Sequence, residues 1–255
     1  MSHVQNVTTD HVVIYEFAWP LLVALFEVDL YRIALELVAH ALLTVVAVVV
    51  VRKSLGMDDS RSGQHAVYST VGLIFCAGEA LLVCHSWWLK DLTSRRRLVL
   101  LHMVLGMAGL WLGLIGIFLK SLAKSRAKER DRHFASKHGA CGLLGFLLVA
   151  GSLVTGLALV HLSHLVLHLV HRLTGFCGFV CLCCCQWFAL NLGFARREWS
   201  SGQIKWLKII TLGATVAVTG YEFLCLAKDI VHLLPRSWFT GIGLKMKDLS
   251  DLVVE

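Results

Sequence analysis

The sequence predicts an all-α, polytopic membrane protein whose six transmembrane helices pack as an antiparallel bundle. Of the 255 residues, 57% are hydrophobic and only 16% are charged, whereas soluble domains are usually about a quarter charged. The mean hydropathy is +0.71, and apolar runs of about 20 residues recur, which is the length that crosses a hydrocarbon core of about 30 Å. These observations exclude a disordered chain and a disulfide-stapled miniprotein, and they argue against an ordinary water-soluble enzyme.

Six apolar runs define the predicted spans, and they must be helical because lipid offers no hydrogen-bond partners to an open backbone. Short connections between them predict antiparallel neighbours. The segment 12–30 is also apolar, but its acidic residues predict an interfacial helix rather than a seventh span. The chain therefore divides into an amino-terminal interfacial segment (1–32), a six-helix transmembrane domain (33–227) and a carboxy-terminal tail (228–255). The six runs are 33–51, 66–85, 98–119, 139–160, a run from the histidine-rich stretch after residue 161 to about 192, and 209–227.

An even number of spans places both termini on one side of the membrane, here called side A, together with the loop 86–97 and the short connection 161–172. The opposite side B carries the loops 52–64, 120–138 and 193–208. Side A holds 10 of the 24 lysines and arginines and side B holds 14, so the positive-inside rule places side B in the cytosol. Because the basic residues cluster between apolar runs, where they face headgroups, the net charge of +7 does not predict a nucleic-acid partner.

Four of the thirteen histidines recur at a regular period. His65, His102, His138 and His171 are separated by 37, 36 and 33 residues, which is about one span plus one loop, so each lies near the start of its helix. Successive helices run in opposite directions. We therefore expect His65 and His138 to share side B, and His102 and His171 to share side A.

Two such histidine pairs suit a planar iron macrocycle, which takes one imidazole above the ring and one below. Histidine is a standard haem ligand, and two axial imidazoles leave no open iron position, which favours electron transfer over oxygen chemistry. No Cys-x-x-Cys-His motif occurs in the sequence, so thioether attachment is not predicted. The pattern predicts two b-type haems per chain, one near each membrane face. Glycines in the same spans favour close helix approach or leave room for a flat ligand.

A second histidine pattern leaves an alternative open. His161, His164, His168 and His171 have the offsets of one helix face, and imidazole also binds zinc and copper. The alternative function is a histidine-rich metal-binding or metal-transporting membrane protein, and a membrane scaffold without haem is a third hypothesis. The mid-span acid Glu79 is either a proton acceptor or, as we favour, a hydrogen-bonding group within the bundle.

Several motifs together resemble the cytochrome b561 family, most closely its short branch of cytochrome b561 domain-containing proteins, over about residues 33–227. His65 followed by GEALLVCH (78–85) is similar to the family's histidine and Glu-Ala-Leu-Leu block. A basic stretch leads into His102. Lys137-His138-Gly139 with GLLG (142–145), and His171 with Gly175, resemble the family's fourth and fifth spans.

The resemblance implies a transmembrane oxidoreductase that passes electrons from cytosolic ascorbate through two b haems to monodehydroascorbate or ferric iron on the opposite face. His65 with His138 would bind the non-cytoplasmic haem, and His102 with His171 the cytoplasmic one. The family thus places side A in the cytosol, against the charge count, and we keep the family orientation. We expect an integral protein of an endomembrane, the endoplasmic reticulum or a vesicle, rather than of the plasma membrane. The sequence leaves open whether the chain forms a homodimer.

Substrate-binding residues are expected beside the histidines, because an ascorbate anion needs positive charge and hydrogen bonds near the haem edge. The family's basic residues lie at slightly different positions, so these are candidates whose alternative role is ordinary loop charge. On side A they are Arg95, Arg96, Arg97 and Arg172, and on side B they are Lys137, His133 and Phe134.

Overall fold

The computed structural model describes residues 29–57, 60–126, 136–162 and 164–233, and these residues form helices and turns without a strand. Six of the helical stretches are long and apolar enough to cross a membrane. The predicted all-α polytopic fold is confirmed. The predicted interfacial helix at 12–30 lies almost wholly outside the described residues, and so does most of the predicted tail 228–255, from residue 234 onward. The spans are Ile33–Leu55, Arg61–His85, Arg95–Ala123, Lys137–Leu159, Leu165–Ala189 and Ser201–Ile230.

The helices begin and end close to the predicted bounds, and most run further into the polar regions. The basic run after residue 120 continues helix α5 to Arg126, and the helix of the sixth span extends to Leu233. Ser136 caps α6, since its hydroxyl accepts a hydrogen bond from the Gly139 amide. In chain order the helices are α1 (Asp29–Leu55), α2 (Ser60–Ser69), a π-helical segment (Thr70–Cys76), α3 (Ala77–His85), α4 (Trp87–Leu92), α5 (Arg95–Arg126), α6 (Lys137–Leu159), α7 (Leu165–Ala189), α8 (Gly193–Glu198) and α9 (Ser201–Leu233).

The core lies where α1, the second span, α7 and α9 meet. Leu43 of α1, Ile74 of the π-helical segment, Phe179 of α7 and Val218 of α9 are among its buried residues. Outside this core, large apolar side chains are exposed, which the lipid environment explains because hydrocarbon is as apolar as the side chains. Side chains more than half exposed include those of Trp111, Phe118, Leu147, Val154 and Val216.

Two hairpins carry the four periodic histidines. The second span packs on α5, and α6 packs on α7. Glycine allows the first of these contacts to be close. A Cβ atom on Gly72 would lie 2.6 Å from the Gly109 carbonyl oxygen, too near for any other residue. In contrast, a Cβ on Gly106 would meet nothing within 4 Å. The glycines of α5 therefore include both packing positions and an open position beside a cavity.

Candidate functional site

The histidines of α2 and α6 meet near side B. The ring centroids of His65 and His138 are 6.1 Å apart, and the rings are nearly perpendicular at 82°. His65 is five residues into α2 and His138 is the second residue of α6. The structure therefore brings together the starts of these two helices, which the alternating helix directions had predicted to lie on side B. We call these residues the side B pair.

The histidines of α5 and α7 meet near side A in the same way. The ring centroids of His102 and His171 are 5.9 Å apart and the rings are inclined at 80°. Both residues lie about two turns inside their helices. We call them the side A pair. All four periodic histidines thus occupy the two pairs expected from their spacing.

A backbone carbonyl orients each of the four rings through Nδ1. His65 Nδ1 donates to the carbonyl oxygen of Gly116 at 3.0 Å, and His102 Nδ1 donates to that of Ala80 at 2.8 Å. A carbonyl only accepts, so Nδ1 carries the proton and Nε2 keeps its lone pair. This fixed tautomer is what a metal-ligating histidine requires. The other two donors are His138, to the Cys185 oxygen at 3.1 Å, and His171, to the Ser152 oxygen at 2.8 Å.

These anchors are reciprocal within each hairpin. The second span orients the histidine of α5 through Ala80, and α5 orients the histidine of the second span through Gly116. The helices α6 and α7 exchange anchors in the same manner. In α5, α6 and α7 the histidine and the anchoring carbonyl are 14 residues apart, which is about 21 Å of α-helix. One hairpin thus fixes one ring at each end of the bundle.

Each histidine pair opens into a cavity of a size typical of ligand sites. The side A cavity measures about 750 Å³ and the side B cavity about 440 Å³. The walls are mostly apolar. Residues of the side A cavity include His102, His171, Lys90, Arg95, Gly156 and Phe179. Residues of the side B cavity include His65, His138, Lys120, Gly142, Arg197 and Trp199.

The residues present fit a bis-imidazole haem. Metal–imidazole bonds are about 2 Å long, so ring centroids about 6 Å apart leave room for one metal ion between facing nitrogens. Gly156 keeps the side A ring in place, because a Cβ there would lie 2.8 Å from His171 Cε1. Gly106 and Gly175 also line this cavity and leave space beside the rings. Sequence reasoning had not singled out Gly156.

The candidate basic residues of side A separate into two groups. Arg95 and Arg172 line the side A cavity, whereas Arg96 and Arg97 do not. Arg172 Nε donates to Glu222 Oε1 at 2.8 Å, and its Nη1 pairs with Asp229. The charge of Arg172 is therefore already shared with two carboxylates of α9. Lys90 also lines this cavity, and it was not among the candidates predicted from the sequence.

Glu222 is the buried centre of this ion-pair network. Its side chain is only 3% exposed, and it pairs with both Arg172 and His85. These two partners come from two other helices and lie 50 or more residues from Glu222 in the chain, so no local sequence motif predicts the contacts. The network ties α9 to α7 and α3 at the edge of the side A cavity.

On side B the structure favours different cations from the predicted one. Lys137 is exposed and does not line the cavity. Lys120 and Arg197 do line it, and Lys120 Nζ donates to Ser62 Oγ at 2.6 Å. His133 and Phe134 lie outside the described residues. The rotation of α5 places Lys120 toward the cavity, and the sequence alone does not give that rotation.

The histidine stripe does not assemble into a metal site. His161 and His164 precede the first residue of α7, and these two together with His168 are exposed. Within the described ranges, no cluster of three or more histidine, cysteine, aspartate or glutamate side chains could hold a metal ion. Glu79 lies with its Oε2 atom 2.7 Å from His40 Nδ1. This contact between helices agrees with the hydrogen-bonding role within the bundle that we favoured for Glu79.

Comparison with known proteins gives one family. A model of the eukaryotic cytochrome b561 family matches residues 64–199, which is more than half of the chain. The matched range begins one residue before His65 and ends after α8, so it contains all four paired histidines. The search of curated proteins found no match.

Proposed function

Because this chain belongs to the eukaryotic cytochrome b561 family, we propose that it carries electrons from cytosolic ascorbate on side A to monodehydroascorbate or a ferric chelate on side B. The family consists of haem-containing transmembrane oxidoreductases, and six apolar helices make the chain an integral multi-pass membrane protein. The donor, the acceptor and an endomembrane location in the endoplasmic reticulum or a vesicle are parts of the proposal.

The observation that carries the proposal is the common construction of the two histidine pairs. Each pair joins one ring from the first hairpin with one from the second, and a backbone carbonyl fixes every Nδ1. The four Nε2 atoms would hold the iron of two b haems, one at the side B pair and one at the side A pair. A bound b haem accepts and releases one electron at a time. Both pairs lie within one chain, so the proposal does not require a homodimer.

Cations at the cavity edges would attract and orient the anionic substrates. On side A, Arg95 and Lys90 line the cavity, while Arg96 and Arg97 add positive charge to the same helix start. Arg172 would contribute through the part of its guanidinium that Glu222 and Asp229 leave open. On side B, Lys120 and Arg197 line the cavity, and Lys137 directly precedes His138 in the chain.

Haem content tests this proposal most simply. Protein purified in detergent should contain two haems per chain in a pyridine haemochrome assay, and dithionite should produce the visible absorption bands of reduced b haem. Ascorbate should reduce a substantial part of the same absorption. Protein that carries no haem when expressed with ample haem supply would refute the assignment of all four histidines.

A further inference from the structure

One ring of the side A pair is held by a side chain as well as by a backbone carbonyl. Ser152 lies well inside α6 and is buried, with 8% of its surface exposed. A hydroxyl in a helix usually bonds a carbonyl of its own helix, as Thr174 Oγ1 does to the Val170 oxygen at 2.7 Å. Ser152 Oγ instead donates across to α7, to the His171 carbonyl oxygen at 3.0 Å. The hydroxyl therefore belongs to the contact between the two helices.

The same hydroxyl oxygen lies beside the imidazole ring. Ser152 Oγ is 3.2 Å from His171 Nδ1, and the Ser152 carbonyl oxygen is 2.8 Å from that nitrogen. Because the hydroxyl hydrogen points to the His171 carbonyl, the Oγ lone pairs can accept. Nδ1–H is thus shared between two acceptors of one residue, a three-centre hydrogen bond. Ser152 fixes both the backbone and the ring of His171.

Two glycines make room for this arrangement. A Cβ atom on Gly175 would lie 3.0 Å from Ser152 Oγ, closer than ordinary van der Waals contact, so a larger residue would push the hydroxyl away from the ring. Gly156, four residues after Ser152 on α6, leaves the space that the ring itself occupies. The position of the hydroxyl beside Nδ1 therefore depends on small residues from both helices.

The anchoring residues occupy equivalent positions but carry different side chains. Ser152 and Cys185 each follow the periodic histidine of their own helix by 14 residues. Ala80 follows by 15, and the π-helical segment between accommodates the additional residue because a π turn holds one more than an α turn. Cys185 Sγ is 3.1 Å from His138 Nδ1, so a thiol repeats the arrangement on side B. At His102 the anchor is Ala80, whose methyl group offers no acceptor.

An acceptor at Nδ1 changes the electron density that Nε2 can offer to iron. A hydrogen bond from Nδ1–H makes the imidazole a more basic ligand, and a more basic ligand favours ferric over ferrous iron. Hydrogen bonding to the axial ligands is one of the ways in which a protein sets a haem potential. The hydroxyl of Ser152 is neutral, so its removal changes a hydrogen bond and leaves the net charge of the site unchanged.

We propose that Ser152 is a positioning residue of the side A pair, whose hydroxyl, as a second acceptor at His171 Nδ1, shifts the redox equilibrium of a haem held there toward the ferric form. The two rings of the pair then differ, because His171 has two acceptors and the Ala80 side chain gives His102 no second one. This difference sets how readily reduction occurs on side A. The inference rests on the proposed function only in that the side A pair holds a haem.

Redox titration of the detergent-purified, haem-containing protein tests this role. The absorption of reduced b haem is followed against the solution potential, and the side A component is the one that His171→Ala lacks. In Ser152→Ala, that component should shift toward the reduced form by about two- to tenfold in its redox equilibrium, the effect of one neutral hydrogen bond. The side B component should not move. Ser152→Cys should give a smaller shift, since a thiol is a weaker acceptor.

A second variant adds the hydroxyl at the other ring. Ala80→Ser places it beside His102 Nδ1, where the Ala80 carbonyl oxygen already lies 2.8 Å away. It should shift the side A component toward the oxidised form, opposite to Ser152→Ala. The matched control is Thr174→Val. Its hydroxyl also donates to the His171 carbonyl, at 3.1 Å, and bonds backbone oxygens, so its removal should leave both components unchanged.

Each failure has a separate meaning. If the protein binds no haem, the proposed function and this inference are both wrong. If it binds two haems and neither Ser152→Ala nor Ala80→Ser moves the side A component, only the inference is wrong. Shifts of the same sign in these two variants, or an equal shift in Thr174→Val, would show a general disturbance of packing and would also overturn it. If Ser152→Ala loses the haem, the opposite shifts expected of Ser152→Cys and Ala80→Ser decide.

Discussion

The side A and side B pairs share the geometry of their rings but not their surroundings. Their centroid separations are 5.9 and 6.1 Å, and all four Nδ1 atoms donate to a carbonyl. Around the side A pair lies a buried ion-pair network and a cavity of about 750 Å³. The side B cavity measures about 440 Å³. The shared ring geometry and carbonyl anchors are what a cofactor requires. The ion pairs and cavity sizes differ, and they can serve different chemistry at the two membrane faces.

Removing single histidine rings should have the largest effect and tests the pairing directly. His65→Ala and His138→Ala should each abolish the side B haem, and His102→Ala and His171→Ala should each abolish the side A haem. In every variant the haem content should fall from two to about one per chain. Redox titration should show the same component missing within a pair. If His65→Ala and His102→Ala deplete the same component, the pairing is wrong.

A smaller change should affect the side A pair alone. Gly156→Ala places a Cβ where His171 Cε1 lies 2.8 Å away, so the ring must move from its carbonyl anchor. We expect about 10–100-fold weaker haem binding on side A, the usual cost of disturbing an oriented ligand, with the side B haem unchanged.

The matched control lies five residues away on the same helix. A Cβ on Gly151 would meet nothing within 4 Å, so Gly151→Ala should retain both haems. Equal haem loss in the two variants would mean that α6 simply tolerates no alanine here.

Thermal stability should distinguish the buried ion pairs near side A from the ion pair on side B. Glu222 is buried between Arg172 and His85, and removing one partner of a buried ion pair costs about 3–5 kcal/mol. Glu222→Gln should therefore lower the thermal unfolding temperature in detergent markedly. On side B, the pair of Lys53 with Glu198 is only partly buried, and an ion pair of this kind is worth about 0–1 kcal/mol. Indistinguishable unfolding temperatures for Glu222→Gln and Glu198→Gln would show that the network does not stabilise the fold.

The smallest expected effect concerns substrate attraction on side A. Arg95 lines the cavity, whereas Arg96 and Arg97 do not. Arg95→Gln should raise the apparent KM for ascorbate several-fold at low salt without changing haem content, and the effect should shrink near 0.1 M salt because the Debye length is then about 10 Å. Glutamine at Arg96 or Arg97 should change KM less. Similar KM values for all three variants would indicate that the three arginines are ordinary loop charges.

The sequence sufficed for the spans and the pairing because both depend on periods along the chain. A period of one span plus one loop specifies which end of the bundle each histidine reaches. It does not specify how each helix is rotated, so Lys137 was a candidate where Lys120 and Arg197 line the cavity. Nor does it specify contacts between distant helices, such as Arg172 with Glu222 or His40 with Glu79. The anchors of the histidine rings are backbone carbonyl oxygens, which every residue has, so no residue type in the sequence predicts them.

Electron transfer across a sealed membrane tests the central claim most directly. Protein is reconstituted into vesicles, its orientation is determined by protease access to the 120–138 loop, and ascorbate is added on one face with a ferric chelate on the other. We expect rapid haem reduction and ferrous iron on the far side only when ascorbate meets side A, and no iron reduction in His102→Ala vesicles. Reduction only from the side that bears loop 120–138 would contradict this account. It would place side B in the cytosol, as the count of basic residues indicates.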